Sequence, residues 1–345
     1  MATAATIESE DLGKGVRCWS LPQGGPPLFI SCPEGIDAPD AMAEWIMQHR
    51  AALDRLILQH GGIVLRGFPL VTALDFERIT RVFPAYEPGY VGGASPRGKV
   101  VGNVMQATQL GPEVAIPQHQ EMAYLPHYPA RIAFFCRKPA DTGGATSIAD
   151  MRAVTRDIPD WLRDGLAEHG VRGVLNFAAP PEADGEVVSD TADNKPWSEV
   201  YGTRDRAEVE KVIADLGQTP IWHADNSLTV LSHLPAFAEH PDTGERLYRS
   251  ILHTNYLTYE GSPHGKARRA RLLAAGKPPT GYTLGNGHEL TRDESRELER
   301  AFDDHTVDWE WQAGDLMILD NLLVSHGRAA FTGERETLVA IFGRE

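Results

Sequence analysis

Residues 116–150 read IPQHQEMAYLPHYPARIAFFCRKPADTGGATSIAD and place His119 and Glu121 one residue apart. An apolar block, 132–136, follows and predicts a buried strand. If His119 and Glu121 lie on a β-strand, both side chains point to one face, because side chains alternate across a sheet. An imidazole and a carboxylate on one face are two of the three ligands of a 2-His-1-carboxylate iron site.

A third ligand is available near the other end of the chain. His326 lies within GDLMILDNLLVSHGRAAFTGERETLVAIF, residues 314–342. A strand, a turn at Asp320-Asn321 and a second strand would bring this distant histidine back to the sheet. Three protein ligands on one face of Fe(II) leave three positions open for a bidentate co-substrate and O₂.

Arg335 and Thr146 add a possible carboxylate-binding pair. Arg335 starts an apolar strand and shares side-chain parity with Thr337 and Val339. A buried guanidinium requires an anionic partner, and Thr146, after a Gly-Gly turn, can donate a hydrogen bond to the same carboxylate. A 2-oxoglutarate site needs such a pair beside the metal. Each feature has a simpler interpretation (a chance His-x-Glu among 13 histidines, a structural histidine, a surface ion pair, a turn residue), so the prediction depends on their conjunction.

The composition is that of an ordinary globular protein. The 345 residues are 42% hydrophobic and 23% charged, and the formal net charge of −15 argues against nucleic acid as a partner. The local basic run at 266–269 is interpreted as a solvated helix face. Three cysteines without a CxxC pair argue against a disulfide framework or a zinc ribbon. The N-terminal residues do not resemble a signal peptide, and no apolar run approaches the ~20 residues of a membrane span. The sequence therefore predicts a cytoplasmic protein that does not contact membranes.

The order of predicted elements indicates a β-sandwich or barrel with helices on the outside. Helices are predicted near 39–60, 73–83, 157–169, 205–216 and 264–275, and a capping box at Thr291 opens one that runs to about 304. Strands are predicted near 63–65, 99–105, 227–234, 246–252, 306–311, 315–319, 322–325 and 337–342. We interpret 1–345 as a single catalytic domain, with 1–25 as a loose leader. The irregular segment 178–226 is interpreted as a lid or substrate wall, with disorder as the alternative.

Several motifs together resemble the TauD/TfdA superfamily of Fe(II)- and 2-oxoglutarate-dependent oxygenases, and most closely its clavaminate-synthase-like and SyrP-like branch. The resemblance spans about residues 60–345. The motifs are Arg66-Gly67-Phe68-Pro69, Tyr90-Val91-Gly92-Gly93-Ala94, Ile116–Ala123, Gly143-Gly144-Ala145-Thr146, His240–Glu245, Gly314-Asp315, Asp320-Asn321, His326-Gly327-Arg328 and Arg335.

The resemblance implies a mainly β fold with helical insertions around a double-stranded β-helix (jelly roll) core. It also implies that His119, Glu121 and His326 ligate Fe(II), and that Thr146 and Arg335 hold the distal carboxylate of 2-oxoglutarate. Many superfamily members have Asp at the position of Glu121. The clavaminate-synthase-like branch has Glu there, as this chain does. The usual acidic residue of the Gly-Gly turn is here alanine.

The implied reaction is hydroxylation of a C–H bond in an amino acid or amino-acid-like group, with release of succinate and CO₂. The substrate is either free or tethered to a carrier protein in specialised metabolism. Desaturation, cyclisation or epoxidation at the same site are alternatives, whereas the retained Glu121 argues against halogenation. A non-catalytic jelly roll that binds a metal or small molecule is the alternative of another class. Arg97 and Asn103, in the 92–103 segment, are candidate substrate contacts or plain surface residues. The sequence leaves the oligomeric state open.

Overall fold

A computed structural model describes residues 10–89, 98–107, 110–181, 195–256 and 263–344. Its strands are β1 (Cys18–Trp19), β2 (Leu28–Ser31), β3 (Gly62–Arg66), β4 (Lys99–Val101), β5 (Val104–Gln106), β6 (Ile116–His119), β7 (Arg131–Lys138), β8 (Thr142–Gly143), β9 (Ile148–Asp150), β10 (Val171–Phe177), β11 (Thr219–Trp222), β12 (Leu228–Leu234), β13 (Phe237–Glu239), β14 (Arg246–Tyr248), β15 (Gly281–Leu284), β16 (Thr306–Val307), β17 (Leu316–Asp320), β18 (Val324–Arg328), β19 (Phe331–Thr332) and β20 (Glu336–Phe342). Its helices are α1 (Pro39–Gln48), α2 (Arg50–His60), α3 (Ala73–Thr80), α4 (Met151–Asp157), α5 (Asp160–His169), α6 (Trp197–Tyr201), α7 (Arg206–Asp215), α8 (Pro263–Ala274) and α9 (Arg292–Asp303), with 3₁₀ turns at Glu10–Leu12 and Leu252–Thr254.

The apolar strand β7 lies inside the larger sheet, whose order is β1-β2-β3-β17-β7-β20-β5-β4. Both neighbours of β7 are antiparallel to it, and Phe134 is opposite Met317 on one side and Val339 on the other. The two faces of β7 bury different residues, since side chains alternate. Ala133 and Phe135 face the helices, while Phe134 faces the inner core.

The smaller sheet, β16-β9-β18-β6, shares an apolar core with the larger one. That core contains Phe134 of β7, Met317 of β17 and Val339 of β20, together with Ile148 of β9 and Val324 of β18. Two sheets around one core confirm the predicted mainly β architecture.

Helices α1, α2 and α3 cover the outer face of the larger sheet. The helix predicted over 39–60 is two helices, because the chain leaves helical geometry at His49 (φ −105°, ψ 15°). His49 joins the helices through its backbone N–H, which donates to Trp45 O at 3.0 Å. The predicted capping box before α9 is confirmed: Thr291 and Glu294 bond each other's backbone amides.

A third sheet, β11-β12-β10-β15, lies beside the sandwich. The 178–226 segment contributes β11 to this sheet, and its helices α6 and α7 pack on it. Trp197 of α6 and Val209 of α7 are buried in one cluster with Leu228 and Val230 of β12. Residues 182–194 are outside the described part, so the lid or substrate wall stays a prediction.

Residues 10–25 are not loose, which corrects the predicted leader 1–25 over this range. Leu12, Val16 and Cys18 are buried in the core beneath α1 and α2, because these apolar side chains have the helices to pack on. β1 also pairs with β2. In the described ranges, none of the helices combines the length and apolar character needed to cross a bilayer.

Candidate active site

The two histidines face each other across a strand pair of the smaller sheet. His119 ends β6 and lies directly opposite His326 of β18, with the ring centroids 4.4 Å apart. His119 Nδ1 lies 2.9 Å from Pro117 O. A carbonyl can only accept, so Nδ1 carries the proton and Nε2 keeps the lone pair that a metal requires.

Glu121 reaches the histidines by a different route from the one predicted. β6 stops at His119, so Glu121 lies in the following turn and strand alternation does not orient it. The turn is held by Asn321, whose Oδ1 accepts from Glu121 N at 2.7 Å and whose Nδ2 donates to Glu121 O at 3.0 Å. The same Nδ2 donates to Pro129 O at 2.9 Å. Asn321 thus fixes the backbone of Glu121 at both of its polar atoms.

The three candidate ligands form one compact group. One donor atom from each of His119, Glu121 and His326 lies within 4.8 Å of the others, and His326 Nε2 is 3.9 Å from Glu121 Oε2. Ligand atoms of an octahedral ion with bonds of about 2.1 Å are about 3 Å apart. The group therefore fits a single ion after a contraction of about 1 to 2 Å between ligand atoms. Phe134 packs edge-on against the His326 ring at 5.0 Å.

Arg335 and Thr146, which the sequence predicts to bind one carboxylate, are in direct contact with each other. Arg335 Nε donates to Gly144 O at 3.0 Å, and its Nη2 donates to Thr146 Oγ1 at 3.3 Å. Thr146 Oγ1 also accepts from Trp311 Nε1 at 3.0 Å. A hydroxyl that accepts two hydrogen bonds still has its own proton to donate. Thr146 is therefore prepared to donate to an anion beside Arg335.

The strand parity proposed for Arg335 is not what places it. β20 begins one residue later, at Glu336, and its register shifts between Glu336 and Thr337. Because of this irregularity, the alternation of side chains along β20 does not set the direction of Arg335. Its hydrogen bonds to Gly144 and Thr146 do.

Arg335 carries a charge that the described part of the chain does not balance. Burial, and secondly repulsion by Arg328, lowers its pKa to about 10, so the guanidinium stays protonated at neutral pH. No carboxylate among the described residues forms an ion pair with it. A desolvated cation of this kind is stabilised by a bound anion.

One pocket, partly open to solvent, contains both histidines together with Arg335 and Thr146. It is lined by Ala107, Ile116, His119, Phe134, Thr146, His326, Gly327, Arg328 and Arg335. An anion in this cavity would meet the histidines and Arg335, because all three residues line it. The residues present therefore fit a metal ion together with a small dianion.

Three further residues shape the site and were not assigned roles from the sequence: Arg328, Asn321 and Trp311. Arg328 lines the cavity and donates to the carbonyls of Leu110, Gly111 and Val114, which holds that loop against β18. Arg328 and Asn321 belong to motifs that carry the family resemblance. Trp311 has no comparable sequence signal.

The structure does not bring Asn103, one of the two candidate substrate contacts, into this group. Asn103 is exposed in the turn between β4 and β5, and it does not line the cavity. Arg97 lies outside the described residues.

The sequence of the whole sandwich matches one known family. Residues 31–341 match the family described as "Taurine catabolism dioxygenase TauD, TfdA family". The chain belongs to the TauD/TfdA family. As a TauD/TfdA protein it is a 2-oxoglutarate-dependent non-haem iron dioxygenase that uses Fe(II), 2-oxoglutarate and O₂, as the sequence predicts.

Two similar proteins cover most of this TauD/TfdA chain. A clavaminate synthase-like protein from Arabidopsis thaliana is 28% identical over 294 residues, covering 84% of this chain and 83% of the relative. The dapdiamide synthesis protein DdaC from Enterobacter agglomerans is 26% identical over 304 residues, covering 88% of each chain.

Solved structures share the fold at low identity. PvcB of Pseudomonas aeruginosa, an Fe, alpha-ketoglutarate-dependent oxygenase from an isonitrile synthetic pathway, superposes with a TM-score of 0.53 at 16% identity, covering 100% of this chain and 96% of that one. A putative alpha-ketoglutarate-dependent taurine dioxygenase from Burkholderia xenovorans gives 0.52 at 15% identity, covering 96% and 93%. The predicted double-stranded β-helix core is confirmed.

Proposed function

We propose that this dioxygenase binds Fe(II) through His119, Glu121 and His326 and holds the distal carboxylate of 2-oxoglutarate through Arg335 and Thr146. The observation that carries the proposal is the shared cavity, which has two of the candidate ligands at one side and Arg335 with Thr146 at the other. The third ligand, Glu121, lies within 4.8 Å of the histidines.

The protein residues have separate tasks in this assignment. His119 and His326 supply neutral nitrogen ligands, and Glu121 supplies a negative charge that partly neutralises the ion. Arg335 forms the charge-assisted contact with the co-substrate, and Thr146 adds a directed hydrogen bond. When bound, Fe(II) and 2-oxoglutarate would supply the oxidising chemistry, in which 2-oxoglutarate, O₂ and a substrate R–H are converted to succinate, CO₂ and R–OH.

Phe134 and the apolar part of the cavity limit water around the candidate ligands. Phe134 contacts the His326 ring, and both His326 and Glu121 are buried. Exclusion of water strengthens the electrostatic contacts of the bound co-substrate. It also protects the oxidising chemistry from side reactions.

For the substrate, we propose an amino acid or an amino-acid-like group, free or tethered to a carrier protein, that is hydroxylated at a C–H bond. The relative named for dapdiamide synthesis supports a biosynthetic role of this kind. Retention of Glu121 as a ligand leaves no ligand position for chloride at the carboxylate site, which favours oxygen insertion over halogenation. Desaturation, cyclisation and epoxidation stay as alternative outcomes at the same site.

An anaerobic titration tests the ligand and co-substrate assignments. Fe(II) and 2-oxoglutarate added together without O₂ should give a weak visible charge-transfer band, and admission of O₂ should release succinate. His326→Ala should lose both signals, whereas the exposed His288→Ala, outside the site, should keep them. A wild-type protein with neither band nor succinate would contradict the proposal.

A turnover screen over free and carrier-bound amino acids tests the substrate class. Mass spectrometry should find a product that has gained one oxygen atom, in parallel with succinate. A product that has lost two hydrogens would indicate desaturation or cyclisation instead. A chlorinated product would overturn the role given to Glu121.

A further inference from the structure

The turn that follows Glu121 has a left-handed residue that is not glycine. Met122 has φ 58°, a left-handed conformation that side-chain-bearing residues rarely adopt. Leu125 N donates to Met122 O at 3.0 Å, which closes the turn. A turn of this kind persists only where its surroundings hold it.

Arg249 contacts this turn at residues other than the one that Asn321 holds. Its Nη2 donates to Met122 O at 3.3 Å and also to Leu125 O. The backbone of Arg249 is itself fixed, because it follows the β13–β14 hairpin and its N–H donates to Ala236 O at 2.7 Å. The guanidinium therefore connects a rigid hairpin to the turn beside the metal ligands.

The guanidinium of Arg249 is buried, and no acidic residue among those described pairs with it. The residue is 5% exposed, and its Cζ lies 3.9 Å from the centre of the Tyr128 ring. In the ranges that the structure describes, no carboxylate forms an ion pair with it. Burial lowers its pKa to about 10, so it keeps its charge at neutral pH. A charged donor makes stronger hydrogen bonds to carbonyls than a neutral one, so Arg249 stabilises the turn more than a neutral side chain would.

We propose that Arg249 is a positioning residue for the Glu121 carboxylate, because it fixes the Met122–Leu125 turn and thereby the direction in which Glu121 points. Asn321 holds Glu121 by its own amide and carbonyl, whereas Arg249 holds the residues that come next. The inference rests on the proposed role of Glu121 as a metal ligand. It concerns how the ligand is oriented, and Arg249 itself touches neither metal nor co-substrate.

The test measures binding of redox-inert Mn(II), in the presence of saturating 2-oxoglutarate, by the electron paramagnetic resonance signal of free Mn(II). Arg249→Met keeps much of the side-chain volume but removes the charge and the donors. It should weaken Mn(II) binding about tenfold, the loss typical when support of a ligand is removed. Arg249→Lys keeps the charge without the planar fork, and should weaken binding by about threefold.

Arg66→Met is the matched control. Arg66 also donates to a carbonyl, Glu310 O at 3.0 Å, and also lies over an aromatic ring, Phe29 at 4.9 Å. It pairs with Asp315, away from the Glu121 turn. Arg66→Met should lower the thermal midpoint but leave the Mn(II) dissociation constant within about twofold of wild type. Equal effects of Arg66→Met and Arg249→Met on Mn(II) binding would overturn the proposal.

A double-variant cycle separates orientation of Glu121 from general damage. If Arg249 acts through Glu121, Arg249→Met should have less than about a twofold effect in a Glu121→Ala background. The same tenfold loss in both backgrounds would overturn the proposal. Should Arg249→Met fail to fold, Arg249→Lys supplies the same cycle with a smaller expected effect.

The cycle also distinguishes this inference from the proposed function. Glu121→Ala alone should weaken Mn(II) binding strongly. Wild-type Mn(II) binding by Glu121→Ala would refute Glu121 as a ligand and, with it, the role of Arg249. Weak binding by Glu121→Ala combined with normal binding by Arg249→Met would refute the positioning role alone.

Discussion

The hydrogen bonds of Thr146 and the unbalanced charge of Arg335 determine which kind of group these two side chains can bind. Thr146 accepts hydrogen bonds from Trp311 and Arg335, which leaves its proton as the only group it can offer. Arg335 is charged, desolvated and without a carboxylate partner in the described ranges. Together they are suited to a carboxylate rather than to a neutral group, which is the role we propose for them.

Replacement of Arg335 should affect the co-substrate more than the metal. Arg335→Ala should raise the 2-oxoglutarate KM at least about tenfold, because one charge-assisted contact is lost. Arg335→Lys keeps the charge without the fork and should lose less. Succinate release at varied 2-oxoglutarate measures both, with Mn(II) binding as the control. An unchanged KM in Arg335→Ala would remove Arg335 from the site.

Cys136 should be chemically silent in the folded protein. Burial in β7 raises the pKa of its thiol to about 12, and only the thiolate is a strong nucleophile. Iodoacetamide at pH 8, followed by peptide mass spectrometry, should leave Cys136 unmodified in the native protein. The urea-unfolded protein is the control and should be modified there. Equal rates in the two states would show that β7 opens in the native protein.

At the scale of elements, short connections orient the candidate ligands as much as strands do. His119 and His326 are placed by strand pairing, but Glu121 is placed by the turn after β6. Asn321, which follows the last residue of β17, bonds both backbone groups of Glu121. One polar side chain therefore connects the end of β17 to a candidate metal ligand.

Loss of the Asn321 side chain should affect both stability and metal binding. Asn321→Ala leaves buried backbone groups of Glu121 and Pro129 without partners, which costs about 2 kcal/mol of unfolding free energy. Mn(II) affinity should fall by about tenfold. Asn286→Ala, which removes an exposed turn contact to His288 N, is the control and should change neither quantity. Urea unfolding and Mn(II) titration measure them, and wild-type Mn(II) affinity in Asn321→Ala would contradict the role.

The capping box of α9 should contribute to stability alone. Thr291 Oγ1 accepts from Glu294 N at 3.3 Å, and Glu294 Oε2 accepts from Thr291 N at 2.8 Å. Thr291→Ala should lower the free energy of unfolding by about 1 kcal/mol, and Thr291→Ser should restore most of it. Urea titration measures both variants. A loss of 2-oxoglutarate turnover in a folded Thr291→Ala protein would connect α9 to the site and contradict this view.

At the scale of the whole molecule, ligand binding should stabilise the fold, because the proposed metal ligands are far apart in sequence and only the folded chain brings them together. Mn(II) and 2-oxoglutarate at 100 times their dissociation constants should each add about 2.7 kcal/mol to the free energy of unfolding, provided that only the folded state binds them. The thermal midpoint should rise for the wild type. His326→Ala should show no metal-dependent rise, and an equal rise in that variant would contradict the ligand assignment.

Sequence reasoning could nominate the residues whose chemistry suits a metal or carboxylate site. It could not predict where strands end or which residues pack against one another. Strand periodicity and family motifs identified the sandwich, and the structure brings His119, Glu121, His326, Thr146 and Arg335 together as predicted. The parity arguments failed for Glu121 and Arg335, because β6 ends early and β20 is irregular at its start. Neither feature has a local signal.

Local sequence patterns also could not predict contacts between residues that are far apart in the chain. Trp311 donates to Thr146 across 165 positions, and Asn321 bonds Glu121 across 200. Hydrophobic periodicity describes one element at a time, so it cannot assign partners at such separations. Likewise, the apolar pattern continues through His49, and only the backbone geometry divides α1 from α2.

The place of β7 in the larger sheet has a consequence for the protein during its synthesis. Both of its neighbours, β17 and β20, are encoded roughly 180 to 200 residues after it. At 5–20 residues per second, the ribosome needs on the order of 10 to 40 seconds to supply them. Until then an apolar strand has two open edges, which is the kind of surface that aggregates or recruits chaperones. Yield in the cell should therefore depend on translation speed between residues 138 and 316, even with synonymous codons that leave the finished protein unchanged.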